Sequence, residues 1–332
     1  MSQTFSRKTW SVPVFARGDF SDTTLGPRLH GDDDRHPMIE QLLQLSVNGL
    51  IVGTILALTG VGATLVFGIQ RVANFAHGEY LTFGAYAGLV LNVHYQAELI
   101  TATIGAMAAT ALLAVAIHFA VLRPLRNRGL VAMSLITVGL GLMLRDIVFM
   151  VAGPQVRQYA IDHTRVYDLG LVRISPGQAV AVGVAAVVVP AVALLLARTT
   201  IGKSMRAVAD NRDLAAVSGI DVDRIGTYVW ILAGALAGLG GVMTAMIQGT
   251  FDPNLGYQTL FLIFTSVVLG GIGNAYGALV GGVVLGMVME LSTWNGLAGG
   301  LDARFKPVLA FAALIALLLW RPQGLFGKAR VL

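Results

Sequence analysis

Long apolar runs joined by short polar connections dominate the sequence, at about residues 42–69, 79–93, 98–121, 130–151, 176–197, 227–248, 257–291 and 306–320. About 20 residues rising 1.5 Å each cross the hydrocarbon of a bilayer. Runs of this length therefore demand membrane-spanning helices, which satisfy their own backbone hydrogen bonds where no water is present. Composition agrees, since only 12% of residues are charged, about half the share found in soluble domains. The 257–291 run is too long for one crossing and contains GGIGN at 270–274, so it divides in two; the 79–93 run is short for a full one. The expected fold is all-α, a polytopic membrane protein of about eight to nine transmembrane helices with one or two of them broken.

Residues 1–37 hold neither an apolar core nor a small-residue cleavage site, and they mix Lys and Arg with Asp, as in Asp32-Asp33-Asp34. The expectation is a disordered polar tail at 1–37 ahead of a membrane domain at 38–332. Met38 directly precedes the first apolar pattern and is an alternative start for translation, which the intact mass of the natively expressed protein would decide. The net charge of +5 fits basic cytoplasmic loops. No basic stripe with interleaved aromatics points to nucleic acid. With no cysteine in the chain, disulfides, thiolate metal sites and cysteine catalysis are excluded, and no metal or catalytic site is expected.

Orientation follows from the basic connections. Arg123, Arg126 and Arg128 share one loop, Arg198, Lys203, Arg206, Arg212 and Arg224 another, and Arg321, Lys328 and Arg330 follow the last run. These three regions are expected in the cytoplasm. The connection 152–175, although it carries Arg157, Arg165 and Arg173, must then face outside. Whether the N-terminus faces in or out stays open.

Two segments read as broken helices. In GIQRVANFAHGEYLTFGAY (68–86), Arg71, Asn74, His77, Gly78 and Glu79 stand between apolar flanks; VVLGGIGNAYGALVGGVVLG (267–286) carries Gly271, Gly273 and Asn274. Glycine-interrupted segments in both halves of a transporter mark the solute path, because unwound backbone offers polar groups at membrane depth. Asn74, His77, Gly78, Glu79, Gly271, Gly273 and Asn274 are therefore candidate pathway residues. Two blander readings stand beside this one. Gly273, Gly277 and Gly281, with Gly282 and Gly286, form a small-xxx-small helix contact, and His77 with Glu79 can simply hold a helix break, Glu79 favoured near a helix start. Arg145-Asp146 and Glu290 are the other charges near apolar runs, while His94, His118 and His163 read as ordinary interface or loop residues.

Residues 198–226, RTTIGKSMRAVADNRDLAAVSGIDVDRIG, are the one sizeable charged island between spans. A helix over 201–217 would place Ile201, Met205, Val208, Ala209 and Ala216 on one stripe, with Lys203, Arg206, Asp210 and Asp213 opposite and an end near Ser218-Gly219. Both charge signs on that face favour a protein partner over a lipid surface. Residues 197–204 also match a relaxed phosphate-binding-loop pattern. The preceding residues belong to a membrane helix rather than a strand, however, and no further glycine softens the turn.

The passages ANFAHGEYLTFGAY (73–86), GKSMRAVADNRDLAAVSGIDVDRI (202–225), SVVLGGIGNAYGALVGGVVLG (266–286) and WRPQGLFG (320–327) together resemble the permease subunits of branched-chain amino-acid ABC transporters, the leucine/isoleucine/valine importer family. The FAHGE form resembles one of the two paralogous permeases of such importers. The resemblance implies an inner-membrane channel subunit that works with a second related permease, cytoplasmic ABC ATPase subunits and an external or periplasmic solute-binding protein. It implies ATP used by those partner subunits, and no cofactor bound directly. The island at 198–226 is then similar to the cytoplasmic coupling loop of ABC importers. Asp213-Leu214-Ala215-Ala216 with Gly219 stands near the place of the family's EAA pattern and departs from it. Arg206, Asp210, Arg212, Asp213, Gly219 and Asp223 are the candidate coupling residues. Substrates of such permeases span branched-chain and other amino acids, amides and urea. An ion-coupled secondary carrier using Glu79 or Glu290, and a membrane-bound nucleotide-binding enzyme, are the competing readings.

Overall fold

The computed structural model describes residues 35–71, 73–126, 128–161, 166–168, 170, 172–294 and 301–327. The expected tail lies outside them up to residue 34, as do His163, Arg165, Lys328 and Arg330. The architecture is all-α. Helix α1 spans Arg35–Gln70, α2 His77–Leu89, α3 Leu99–Ile117, α4 Arg123–Leu125, α5 Leu130–Ala152 and α6 Pro176–Arg198. Two short helices, α7 (Thr200–Asp210) and α8 (Arg212–Val217), lead into α9 (Val222–Gln248), α10 (Leu255–Gly270), α11 (Ala275–Leu291) and α12 (Lys306–Trp320). Strands β1 (Tyr167–Asp168) and β2 (Arg173–Ile174) form a small antiparallel hairpin.

Six of these helical stretches are long and apolar enough to cross a membrane alone, and α10 with α11 forms a further pair bent by 118° at its break. The chain is a multi-pass membrane protein. The centre is built from α1, α2, α9, α10 and α11, whose glycines bring backbones together. A Cβ on Gly282 would strike Ala57 of α1, and one on Gly286 would strike Gly53. Gly277 and Gly281 instead face α10 at Gly270 and Ser266. The glycines of α11 thus serve two helix contacts on two faces. Gly273 belongs to neither, since it stands outside the helix.

The connections sort into two ends of the bundle. At one end lie Arg123 and Arg126, the α6–α9 connection and residues 321–327, with Asp223 joined to both arginines. At the other, Gln44 of α1 exchanges hydrogen bonds with the backbone of Arg173, at 2.8 Å and 3.0 Å. There too, residues 157 and 251 pair as an isolated bridge. Helix α1 therefore starts at the end opposite the charged island. Both expected breaks are present: α1 stops at Gln70 before α2 starts, and α10 stops at Gly270 before α11 starts.

Candidate translocation and coupling sites

The first break is closed by local hydrogen bonds. Arg71 adopts a left-handed φ of 53°, ending α1 as a helix C-cap does. Asn74 Oδ1 accepts from the Ala76 amide at 3.2 Å, and the His77 amide donates to the Asn74 carbonyl at 3.1 Å. His77 is fully buried, its Nε2 3.1 Å from the Thr59 carbonyl of α1. A carbonyl only accepts, so Nε2 carries the proton. Gly78 meets α10, where an added Cβ would lie 2.5 Å from the Gly256 carbonyl oxygen. Glu79 sits in the first turn of α2, accepts from Thr82 Oγ1 at 3.1 Å and comes within electrostatic range of Arg145 and Asp146 on α5. His77 and Gly78 thus fasten α2 to α1 and α10. Asn74 lines a groove of about 310 Å³ with Phe75, Phe261, Phe264 and Val267.

The second break needs its glycines. Gly271 has φ 107° and Gly273 φ 86°, a region closed to most side chains. Gly273 donates to Thr64 Oγ1 of α1 at 2.9 Å, and Asn274 caps α11 by accepting from the Tyr276 and Gly277 amides at 3.1 Å each. Residues 325 and 326 then bond to the carbonyls of Leu269 and Gly270 at 2.9 Å and 3.0 Å. Gly68, near the end of α1, touches both this break and the charged island. Its Cβ position lies 3.7 Å from Gly273 Cα and 3.5 Å from Ala209 Cβ.

The island itself departs from the single helix expected over 201–217. Asn211, extended at φ −150° and ψ 106°, splits it into α7 and α8, and its Oδ1 caps α8 through the Leu214 amide at 3.0 Å. Asn caps a new helix better than it extends an old one. The buried stripe shifts accordingly. Gly202, Met205, Val208 and Ala215 face inward, whereas Ile201 and Ala216 are exposed. Gly202, the glycine of the phosphate-loop-like match, lies against the backbone of Leu195 and Leu196 in α6, where no Cβ fits. Gly219, at φ 87°, ends α8, with the Ile220 amide returning to the Ala215 carbonyl at 3.0 Å.

Among the charged candidates, Arg206 donates to the Leu196 carbonyl and so caps α6. Asp223 accepts from Arg126 at 2.8 Å and Arg123 at 3.2 Å, with Arg212 at 3.8 Å. Asp213 is exposed in the first turn of α8. Asp210 is exposed near the end of α7. Two apolar side chains project from α8 as well, Leu214 at 63% and Val217 at 87% exposure.

Residues 45–318 match the family described as the permease component of branched-chain amino acid transport systems. The chain belongs to that family. The permease is 28% identical over 305 residues to the high-affinity branched-chain amino acid permease protein LivH of Escherichia coli K12, covering 87% of this chain and 96% of that relative. It is 29% identical over 308 residues to BraD of Pseudomonas aeruginosa, covering 89% and 99%. A probable LivH of Methanocaldococcus jannaschii is 28% identical over 295 residues, covering 84% and 90%. No solved structure matches the permease.

Proposed function

We propose that this chain is the permease subunit of an ABC importer in the inner (plasma) membrane, forming with a second related permease the path for branched-chain or related amino acids. ATP is bound and hydrolysed by separate cytoplasmic ATPase subunits, and solute arrives on an external binding protein. The end bearing Arg123, Arg126 and the 198–226 connection faces the cytoplasm. On this reading helix α1 begins outside.

One observation carries the coupling part of this reading. Gly68 of α1 lies between Ala209 of α7 and Gly273 of the α10–α11 break. A push on α7 from an ATPase therefore meets, within one side-chain layer, the unwound backbone that lines the inner end of the path. Leu214 and Val217 supply the apolar contact that such a partner groove takes, and Asp213 its charged edge. Asp223 passes the displacement to the α3–α5 connection through Arg123 and Arg126. Membrane proteins resist continuous deformation because their cores are close-packed, so a shift at α7 moves whole helices. The competing ion-driven carrier loses one of its two carboxylates, since both oxygens of Glu290 lie 2.7 Å from Lys306 Nζ.

Reconstitution tests the proposal. Vesicles holding both permeases, the ATPase subunits and the binding protein should accumulate leucine only with internal ATP and persist with an uncoupler present. Accumulation by the permease without any ATPase subunit would sink it.

A further inference from the structure

Helix α5 carries two charges where a lipid-facing helix carries none. Arg145 and Asp146 lie within Leu130–Ala152, about 10 Å before its outer end at 1.5 Å per residue. Their neighbours Leu142, Met143 and Met150 are exposed and apolar. The Asp146 side chain is 68% exposed, and Arg145 Nε stands 3.9 Å from it. A charge left facing acyl chains costs up to about 2.5–3.5 kcal/mol, the figure for a helix centre. This face of the molecule therefore meets water or protein.

The opposing surface is prepared for a ligand. The Arg145 guanidinium lies 5.3 Å over the ring of Tyr257 on α10, and its buried Nε makes no hydrogen bond among the described residues. Gln258, next to Tyr257 in α10, is exposed. Glu79 of α2 is buried against α5, its Cγ 3.7 Å from the Cβ position of Gly141, one turn before Arg145. Arg145 thus has one carboxylate beside it on α5 and a second, Glu79, packed against the same helix at Gly141, a grouping complementary to one carboxylate and one ammonium on the same small molecule. The Tyr257 and Phe261 rings meet edge to face at 6.0 Å, and Phe261 continues into the apolar groove lined by Phe75 and Phe264. Asn74 lines the same groove.

We infer that Arg145, Asp146 and Glu79 bind the head group of a zwitterionic α-amino acid in transit. Arg145 takes the carboxylate, Asp146 and Glu79 take the ammonium, and the aliphatic side chain enters the groove of Phe75, Phe261 and Phe264. The inference rests on the pathway reading given above and names the solute contacts that reading lacks.

The chain has no cysteine, so single cysteines report cleanly. In the complete transporter in proteoliposomes, Gln258→Cys should react with a membrane-impermeant methanethiosulfonate, whereas Leu112→Cys and Val187→Cys on the outer faces of α3 and α6 should not. Asp146→Asn and Arg145→Gln should lower leucine uptake about tenfold or more, the loss of one charge-assisted hydrogen bond. Arg145→Lys should recover part of the uptake. If Gln258→Cys reacts while both neutral variants transport at the wild-type rate, the head-group site is overturned and the pathway stands. If Gln258→Cys is as silent as the controls, the pathway does not run along this face and the inference falls with it. If Asp146→Asn instead releases the second permease on purification, the cluster is a subunit contact and the inference is overturned.

Discussion

Arg126 donates from Nη1 to Asp223 Oδ1 at 2.8 Å, fastening the connection before α5 to the first turn of α9. Both side chains are nearly half exposed, so the pair contributes only about 0–1 kcal/mol to stability. Asp223→Asn should therefore leave the melting temperature within about 4 °C while lowering solute moved per ATP hydrolysed. The reversed pair Arg126→Asp with Asp223→Arg should restore part of that ratio. An unchanged ratio in Asp223→Asn would remove this residue from the coupling route.

Leu214→Asp and Val217→Asp should separate folding from assembly. Both positions are exposed on α8, and surface substitutions of this kind change stability by about 0.5 kcal/mol or less. Insertion and thermal stability should hold, while co-purification of the ATPase subunits is lost. Charge reversal at Arg206 is a poorer probe, because that side chain caps α6 at Leu196.

Glu290 and Lys306 join α11 to α12 with side chains 10% and 23% exposed. Removing one partner leaves the other charge buried, a change worth about 3–5 kcal/mol. Glu290→Gln alone should lower the thermal unfolding midpoint clearly. Glu290→Gln with Lys306→Met should recover most of it, and equal losses in both would show that no such pair forms.

Gly78 and Gly256 press their backbones together at the start of α2 and α10. Gly256→Ala should destabilise the fold by about 1–3 kcal/mol through overpacking. The change should appear as reduced yield of folded protein in detergent, with the substrate preference of whatever transports left as it was. A shifted preference at full stability would argue for Gly256 as a solute contact.

Opposite sides of the membrane should report Leu43 and Leu214. Single cysteines there should be labelled from outside and from inside respectively by an impermeant thiol reagent. Labelling from one side would invert the assignment of α1.

Both helix breaks were legible because glycine and polar residues interrupt apolar runs, and the structure ends α10 within the GGIGN motif. The all-α, multi-pass fold followed from run length alone. The split at Asn211 was less visible, since helical spacing can be drawn straight through it while its side chain turns back to cap α8. The partners of Asp223 lie 97 and 100 residues away in sequence, and no local pattern encodes such a distance. Arg145 and Asp146 stood out as charges in an apolar run, but only the packing of α5 beside Glu79 and Tyr257 gives them company.

The carbonyls of Leu269 and Gly270 receive their donors from residues 325 and 326, beyond both α11 and α12 in the chain. During synthesis the inner end of α10 must therefore wait, its acceptors unspent, until α11 and α12 have been threaded. The permease cannot finish this hairpin early, and a nascent chain stalled before residue 325 would present it to the translocation machinery still unlatched.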